Sequence, residues 1–175
     1  MSDDSQRRVA FSGRIVRVLL EDIDMPDGER VPYEIVEHPG GAGVVALDTS
    51  DQVCLVRQYR PLANDWLWEL PAGKLEHGDP LSTARAELAE EAGLTAKRWE
   101  SLGVVRSSPG VFTEQVHLYL ARDLAAVPRA PEPGEVMEVH WMALETAVAR
   151  ALSGEISDAK TIIGLLRAQA HERLG

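Results

Sequence analysis

GKLEHGDPLSTARAELAEEAGL, residues 73–94, places three carboxylates, Glu87, Glu90 and Glu91, within five residues. On a helix turning about 100° per residue, Glu87 and Glu91 lie about 40° apart and Glu90 about 60° to the other side, so the three share one flank. Leu81, Ala84, Leu88 and Ala92 recur at steps of three and four and give the same helix an apolar stripe. Asp79 followed by Pro80 predicts its start, because Asp accepts from free first-turn N–H groups and Pro suits the first helical position. Gly93 predicts its stop. The preceding loop, 73–79, carries Gly73 and Gly78 and can bring backbone carbonyls close to a ligand.

Carboxylates three and four apart on an exposed helix repel by a few tenths of a kcal/mol per pair, which calls for a neutralising partner. Taken alone, an E-x-x-E-E run is most often a solvated helix face. The other reading is a site for a hard divalent cation, which prefers oxygen ligands and bridges protein carboxylates to substrate phosphates.

The surrounding residues favour the second reading. The segment resembles the Nudix box, G-x5-E-x7-R-E-U-x-E-E-x-G-U, the signature of hydrolases that cleave nucleoside diphosphates linked to another group. Gly73, Glu87, Leu88, Glu90, Glu91, Gly93 and Leu94 match it. Two positions depart. One residue is missing between Gly73 and Glu87, a deletion best placed around His77 to Asp79, so the first box Glu has no counterpart unless Asp79 replaces it. The box Arg is Ala86, and Arg85 stands about 100° round the helix from that position.

The resemblance extends outward. Pro109 stands sixteen residues beyond Gly93, the position of a proline associated with the ADP-ribose pyrophosphatase subgroup. The runs RQYRP, WELPAGK, SSPGVFTE and EVHWM also resemble that subgroup, so that roughly residues 31–142 are covered. The resemblance implies an α+β chain: a Nudix-type α/β/α sandwich with a mixed sheet and an N-terminal antiparallel strand extension. It implies magnesium, or manganese, at two or three ions per site, held by Glu87, Glu91 and the Ala72 carbonyl, with Glu90 sharing or supporting them. The catalytic base is expected at Glu135, or else Glu138. Arg57, Arg60, Glu69, Ser108, Pro109, Gly110 and Glu114 are the expected substrate contacts. The expected reaction is hydrolysis of ADP-ribose, or a close nucleoside diphosphate sugar, to AMP and ribose 5-phosphate. GDP-mannose or ADP-glucose is the alternative substrate. A weakly active nucleotide-sugar binding module is the alternative from another class, motivated by Ala86 and the shortened loop. A homodimer whose N-terminal strands contribute to the partner's adenosine site is also implied.

The residues keep other readings open. Arg57 and Arg60 at a strand end could clamp phosphates or form salt bridges. Trp66 and Trp68 share a strand face and could stack on a base or pack in a core. His77, His117 and His140 are scattered without a zinc-ligand spacing.

Across the 175 residues, 45% are hydrophobic and 26% charged, as in an ordinary globular chain. The formal net charge of −10 argues against nucleic acid and anionic membranes as partners. The one cysteine, Cys54, excludes an intrachain disulfide and sits in an apolar run, which reads as a buried structural thiol. No apolar signal core or membrane-spanning window is present, so a cytoplasmic location is expected.

The expected organisation is a polar tail over 1–8 and a single domain over 9–175, with N-terminal strands at about 9–38 and the core at about 42–175. Alternation predicts strands over 11–23 and 31–37, joined by the turn residues 25–30. Further strands are predicted at 43–47, 52–59, 66–70, 96–105, 115–121 and 138–142. Helices are predicted at 144–152 and 157–173, the latter capped by Ser157 or Asp158.

Overall fold

The computed structural model describes residues 7–75, 78–131 and 134–174. Most of the predicted N-terminal tail, and His77, therefore lie outside the described residues. The chain divides into two units, Met1–Gly40 with Arg106–Gln115, and Gly41–Val105 with Val116–Gly175.

The first unit is built on a meander of β1 (Arg8–Ser12), β2 (Arg17–Asp24) and β3 (Arg30–Glu37), paired in that order. The strand predicted as continuous over 11–23 breaks in two. The chain reverses where Gly13 N–H donates to Val16 O at 2.9 Å, and Ser12 then faces Arg17. A polar Ser-Gly-Arg run interrupts the alternation there, and the glycine makes it a turn. Arg8, assigned to the tail, begins β1. Arg7 and Arg17 converge on the Glu37 carboxylate at 2.5 and 3.1 Å. The 106–115 segment joins this unit by backbone bonds to β3: Val36 N–H donates to Val111 O at 2.8 Å, and Thr113 N–H to Val36 O at 3.0 Å.

The second unit contains β4 (Gly41–Leu47), β5 (Gln52–Arg60), β6 (Asp65–Glu69), β7 (Ala72–Lys74), α1 (Pro80–Ala92), β8 (Leu94–Arg106), β9 (Gln115–Ala126), β10 (Met137–Ala143), α2 (Leu144–Leu152) and α3 (Ala159–Leu174), the outermost residues of β8 and β9 being counted with the first. Its sheet runs β10-β5-β4-β9-β8, with β6 beside β5 and β7 beside β4. The β4–β9 pair is parallel, whereas β4–β5, β4–β7, β5–β6 and β5–β10 are antiparallel, so the sheet is mixed.

Strand alternation explains the layering, since neighbouring residues point to opposite faces. Val45, Leu47, Val53, Leu55, Leu118 and Leu120 pack with Leu144, Val148, Ile156 and Leu165 of the α2–α3 side. Ala42, Val44, Ala46, Cys54 and Ala121 pack with Ala84, Leu88 and Ala92 of α1. A sheet buried on both faces accounts for the fully buried pattern of β4. The expected three-layer α/β/α arrangement is thus the architecture of this unit.

Helix α1 starts and stops where its residues predict. Asp79 is its N-cap and accepts from Ser82 N–H at 3.2 Å, and Gly93 closes it at φ 68°, ψ 37°. Elsewhere boundaries shift: β8 begins at Leu94 rather than 96, β9 runs on to Ala126 rather than 121, and α3 starts at Ala159, capped by Asp158, whose Oδ2 accepts from Thr161 N–H at 3.0 Å. The short β7 was not foreseen, because three residues carry no period. No helix among the described residues is long and apolar enough to cross a membrane.

Gly164 sets how closely α3 approaches the sheet. A Cβ added there would stand 2.6 Å from Leu70 Cδ1 and 3.2 Å from Val45 Cγ2. Gly164→Ala is therefore expected to destabilise the protein by about 1–3 kcal/mol despite the better helix propensity of alanine, as read by urea unfolding. A gain in stability would show that α3 shifts freely.

Candidate active site

Packing fixes which way the acidic flank of α1 faces. Once Ala84, Leu88 and Ala92 enter the core, Glu87 and Glu91, one turn apart, are carried to the border beside β7. A Cβ on Gly73 would stand 1.6 Å from Glu87 Oε1, so the carboxylate rests directly on the bare glycine backbone. No other residue leaves room for that approach. One residue earlier, Ala72 N–H donates to Glu91 Oε2 at 2.8 Å. Glu91 is 3% exposed.

Burial pushes the Glu91 carboxyl up to about 8; the Ala72 N–H acts against that, and the negative charges of Glu87 and Glu135 add to it. Glu135, on the loop before β10, thus acts electrostatically on Glu91. Lys160 acts in the opposite sense.

Behind this acidic group lies a second buried network. Glu69, 2% exposed, accepts from Arg60 Nε at 2.6 Å, from Arg60 Nη2 at 2.7 Å and from Lys160 Nζ at 2.5 Å. Lys160 also donates to Asp158 Oδ1 at 3.0 Å. Burial opposes the Glu69 carboxylate, but Arg60 and Lys160 more than offset it and hold its pKa below the ordinary value. Burial likewise opposes the Lys160 ammonium, and Asp158 and Glu69 hold its pKa above the ordinary value.

Arg60 thus takes the salt-bridge reading, in a bidentate pair with Glu69. The Arg57 guanidinium lies 5.8 Å from the ring centres of both Trp66 and Trp68, which share a face as their spacing requires. Trp68 also meets His140 edge-on and packs against the α2–α3 core, so for it the core reading prevails. Glu138 is exposed and pairs with His140 Nε2 at 3.1 Å. Glu90 is half-buried, and its carbonyl accepts from Ala130 N–H at 3.1 Å. Ser108, Pro109, Gly110 and Glu114 lie in the first unit, where Glu114 Oε1 pairs with His38 Nδ1 at 3.1 Å. Ala86 is exposed, and Arg85 does not bend toward Glu90 but lies over the Trp99 ring at 5.7 Å. Cys54 is buried and its thiol is pushed up to about 12, which keeps it an inert core group.

Two groups escaped the sequence reading. Arg129 Nε donates to Glu91 O at 2.7 Å and so ties down the C-terminal turn of α1, on which Gly93 leaves room for its side chain. Lys160 carries no sequence signal beyond its place two residues after a capping Asp.

The donor set suits a hard cation. Among the described residues its members are carboxylate oxygens and peptide groups, and the negative charges of Glu87 and Glu135 add to the burial that raises Glu91. Among the described residues no three His, Cys, Asp or Glu side chains close on one point, so the arrangement is no finished cage. A hard divalent cation that keeps several waters and completes its shell with phosphate oxygens needs no such cage.

Residues 37–163 match the NUDIX domain. The chain is 37% identical over 167 residues to an ADP-ribose pyrophosphatase of Bacillus subtilis (strain 168), covering 94% of this chain and 90% of that protein. It is 36% identical over 167 residues to a methanol dehydrogenase activator of Bacillus methanolicus, with the same coverage of both chains. A crystal structure of an ADP compounds hydrolase superposes with a TM-score of 0.81 at 19% identity, covering 97% of this chain and 92% of that one.

The raised Glu91 carboxyl predicts a pH dependence. Its pKa is higher folded than unfolded, so its contribution to stability is fully present below about 4.5 and is lost as pH rises through about 8. With chelator present, the melting temperature is expected to fall across that window, and Glu91→Gln should flatten the fall. Magnesium should raise the melting temperature more at pH 8.5 than at pH 5. A wild-type profile in chelator that is level from pH 5 to 8.5 would contradict the assignment.

Proposed function

Because this chain belongs to the NUDIX family, we propose that it hydrolyses the pyrophosphate of ADP-ribose, or of a close nucleoside diphosphate sugar, giving AMP and ribose 5-phosphate. The observation that carries the reading is the seating of Glu87 on Gly73 and of Glu91 on Ala72 N–H, which gathers carboxylates beside a peptide turn. The relatives' names support the substrate class.

Pyrophosphate is already anionic, so attack by water requires charge neutralisation at the phosphate. Bound magnesium or manganese, two or three ions in this reading, would supply that neutralisation and lower the pKa of water. Glu87, Glu91 and the Ala72 carbonyl would hold the ions, with Glu90 supporting them. Glu135 takes the proton of the attacking water. It is favoured over Glu138 because its charge acts on Glu91, whereas Glu138 is engaged by His140. Arg57, set between two indoles, is oriented for a phosphate or an adenosine edge. Arg60 serves substrate only while keeping Glu69 neutralised.

The protein acts in this reading as a cytoplasmic homodimer. Val9, Phe11 and Ile15 of the N-terminal unit leave 48%, 55% and 42% of their surfaces exposed, which suits a sheet that meets a second copy. Light scattering that gave a monomer fully active on ADP-ribose would remove the shared site.

The test is the rate of AMP release with magnesium from a panel of ADP-ribose, ADP-glucose and GDP-mannose, compared as kcat/KM. ADP-ribose is expected to lead, and a chain that binds it without releasing AMP is a binding module instead. Glu91→Gln should lower kcat at least about 100-fold, and Glu135→Gln about 100- to 10,000-fold, with Glu138→Gln changing it less than about 3-fold. A larger loss from Glu138→Gln than from Glu135→Gln would reverse the choice of base.

A further inference from the structure

The network around Glu69 joins the start of α3 to the end of β6, with 91 residues of chain between Lys160 and Glu69. Its charges balance: Glu69 and Asp158 are negative, Arg60 and Lys160 positive. Both oxygens of each carboxylate are used. Asp158 Oδ1 accepts from Lys160, while its Oδ2 accepts from Thr161 N–H at 3.0 Å and from Thr161 Oγ1 at 2.6 Å. Thr161, fully buried, has its hydroxyl oxygen accept from Leu70 N–H at 2.8 Å.

The N-terminal turn of α3 therefore grips consecutive residues in two ways, Glu69 by its side chain and Leu70 by its main chain. One turn further along, Gly164 lies under the Leu70 side chain. Pro71 follows, with a fixed φ and a restricted residue before it, and its carbonyl accepts from Val44 N–H at 2.9 Å. The next residue is Ala72, whose N–H meets Glu91. With so few free torsions in between, a displacement at Leu70 is passed to Ala72 instead of being absorbed.

We propose that the Asp158–Lys160–Thr161 cluster is the positioning device of the acidic site. It fixes the Glu69–Ala72 segment against α1, so that the cation affinity of Glu87 and Glu91 is set by α3 side chains that touch neither cation nor substrate. The inference rests on the metal reading given above. It goes further by making α3 part of the site. Removing Lys160 also leaves the network with one uncompensated negative charge, because Glu69 and Asp158 then face Arg60 alone.

The experiment is titration of the full chain with Mn2+ alone, followed by the electron paramagnetic resonance of free Mn2+, well below each variant's melting temperature. Thr161→Val removes the hydroxyl at constant shape and is expected to weaken Mn2+ binding about tenfold, with Thr161→Ser restoring it to within about twofold. In the hydrolysis assay the loss should be relieved at saturating metal, with KM for substrate little changed. Should Thr161→Val fail to fold, Asp158→Asn is read against the same limits. Folded variants that bind Mn2+ like the wild type, whatever their melting temperature, overturn the positioning role and leave the metal reading standing. A wild-type chain that binds no Mn2+ overturns both.

Discussion

The bond from Ala72 N–H to the Glu91 carboxylate is the contact on which the site depends. It joins the acidic helix to the sheet at the point where a buried charge would otherwise be least tolerable. A carboxylate with so little exposure requires a donor, and a peptide N–H at 2.8 Å is one that side-chain motion cannot withdraw. Around that bond the requirements of packing and chemistry coincide. Ala84, Leu88 and Ala92 set the rotation of α1, Gly73 admits Glu87, and Arg129 fastens the last turn of the helix through the Glu91 carbonyl.

Charge is arranged in two zones. The network of Glu69, Arg60, Lys160 and Asp158 is internally neutral and hydrogen-bonded, the condition under which buried ions are tolerated. The flank of Glu87 and Glu91, with Glu135 acting on it, is left in negative excess, which adds to the burial that raises Glu91 and suits a divalent ion. A net charge of −10 does not oppose an anionic substrate if the local excess is neutralised where the phosphate meets the protein.

The sequence made α1 legible from cap to cap, because Asp79, Pro80, the 3–4 stripe and Gly93 all agree. The second-unit sheet was legible where runs such as 43–47 and 53–56 are uniformly apolar. The break at Gly13 was not, since the alternation on either side of it looks continuous, and β7 is too short to show a period. At the site, Glu87 and Glu91 could be placed on one flank by helical geometry alone. The engagement of Arg60 by Glu69, and of Lys160 by both Glu69 and Asp158, depends on contacts distant in sequence, where composition and periodicity are silent. Arg85 is a related case: its distance from Glu90 round the helix was calculable, but its stacking on Trp99 was not.

The separation of these contacts bears on how the protein acquires its site during synthesis. Residues 69–91 leave the ribosome well before Asp158, Lys160 and Thr161 exist, so Glu69 must wait with Arg60 but without Lys160, and Leu70 N–H without the Thr161 hydroxyl. Contacts that close a loop of this length form late, after local helices and hairpins. The acidic helix can therefore be complete while the segment opposite it is still loose. If α3 positions the site as proposed, competence to hold a cation is acquired with its docking.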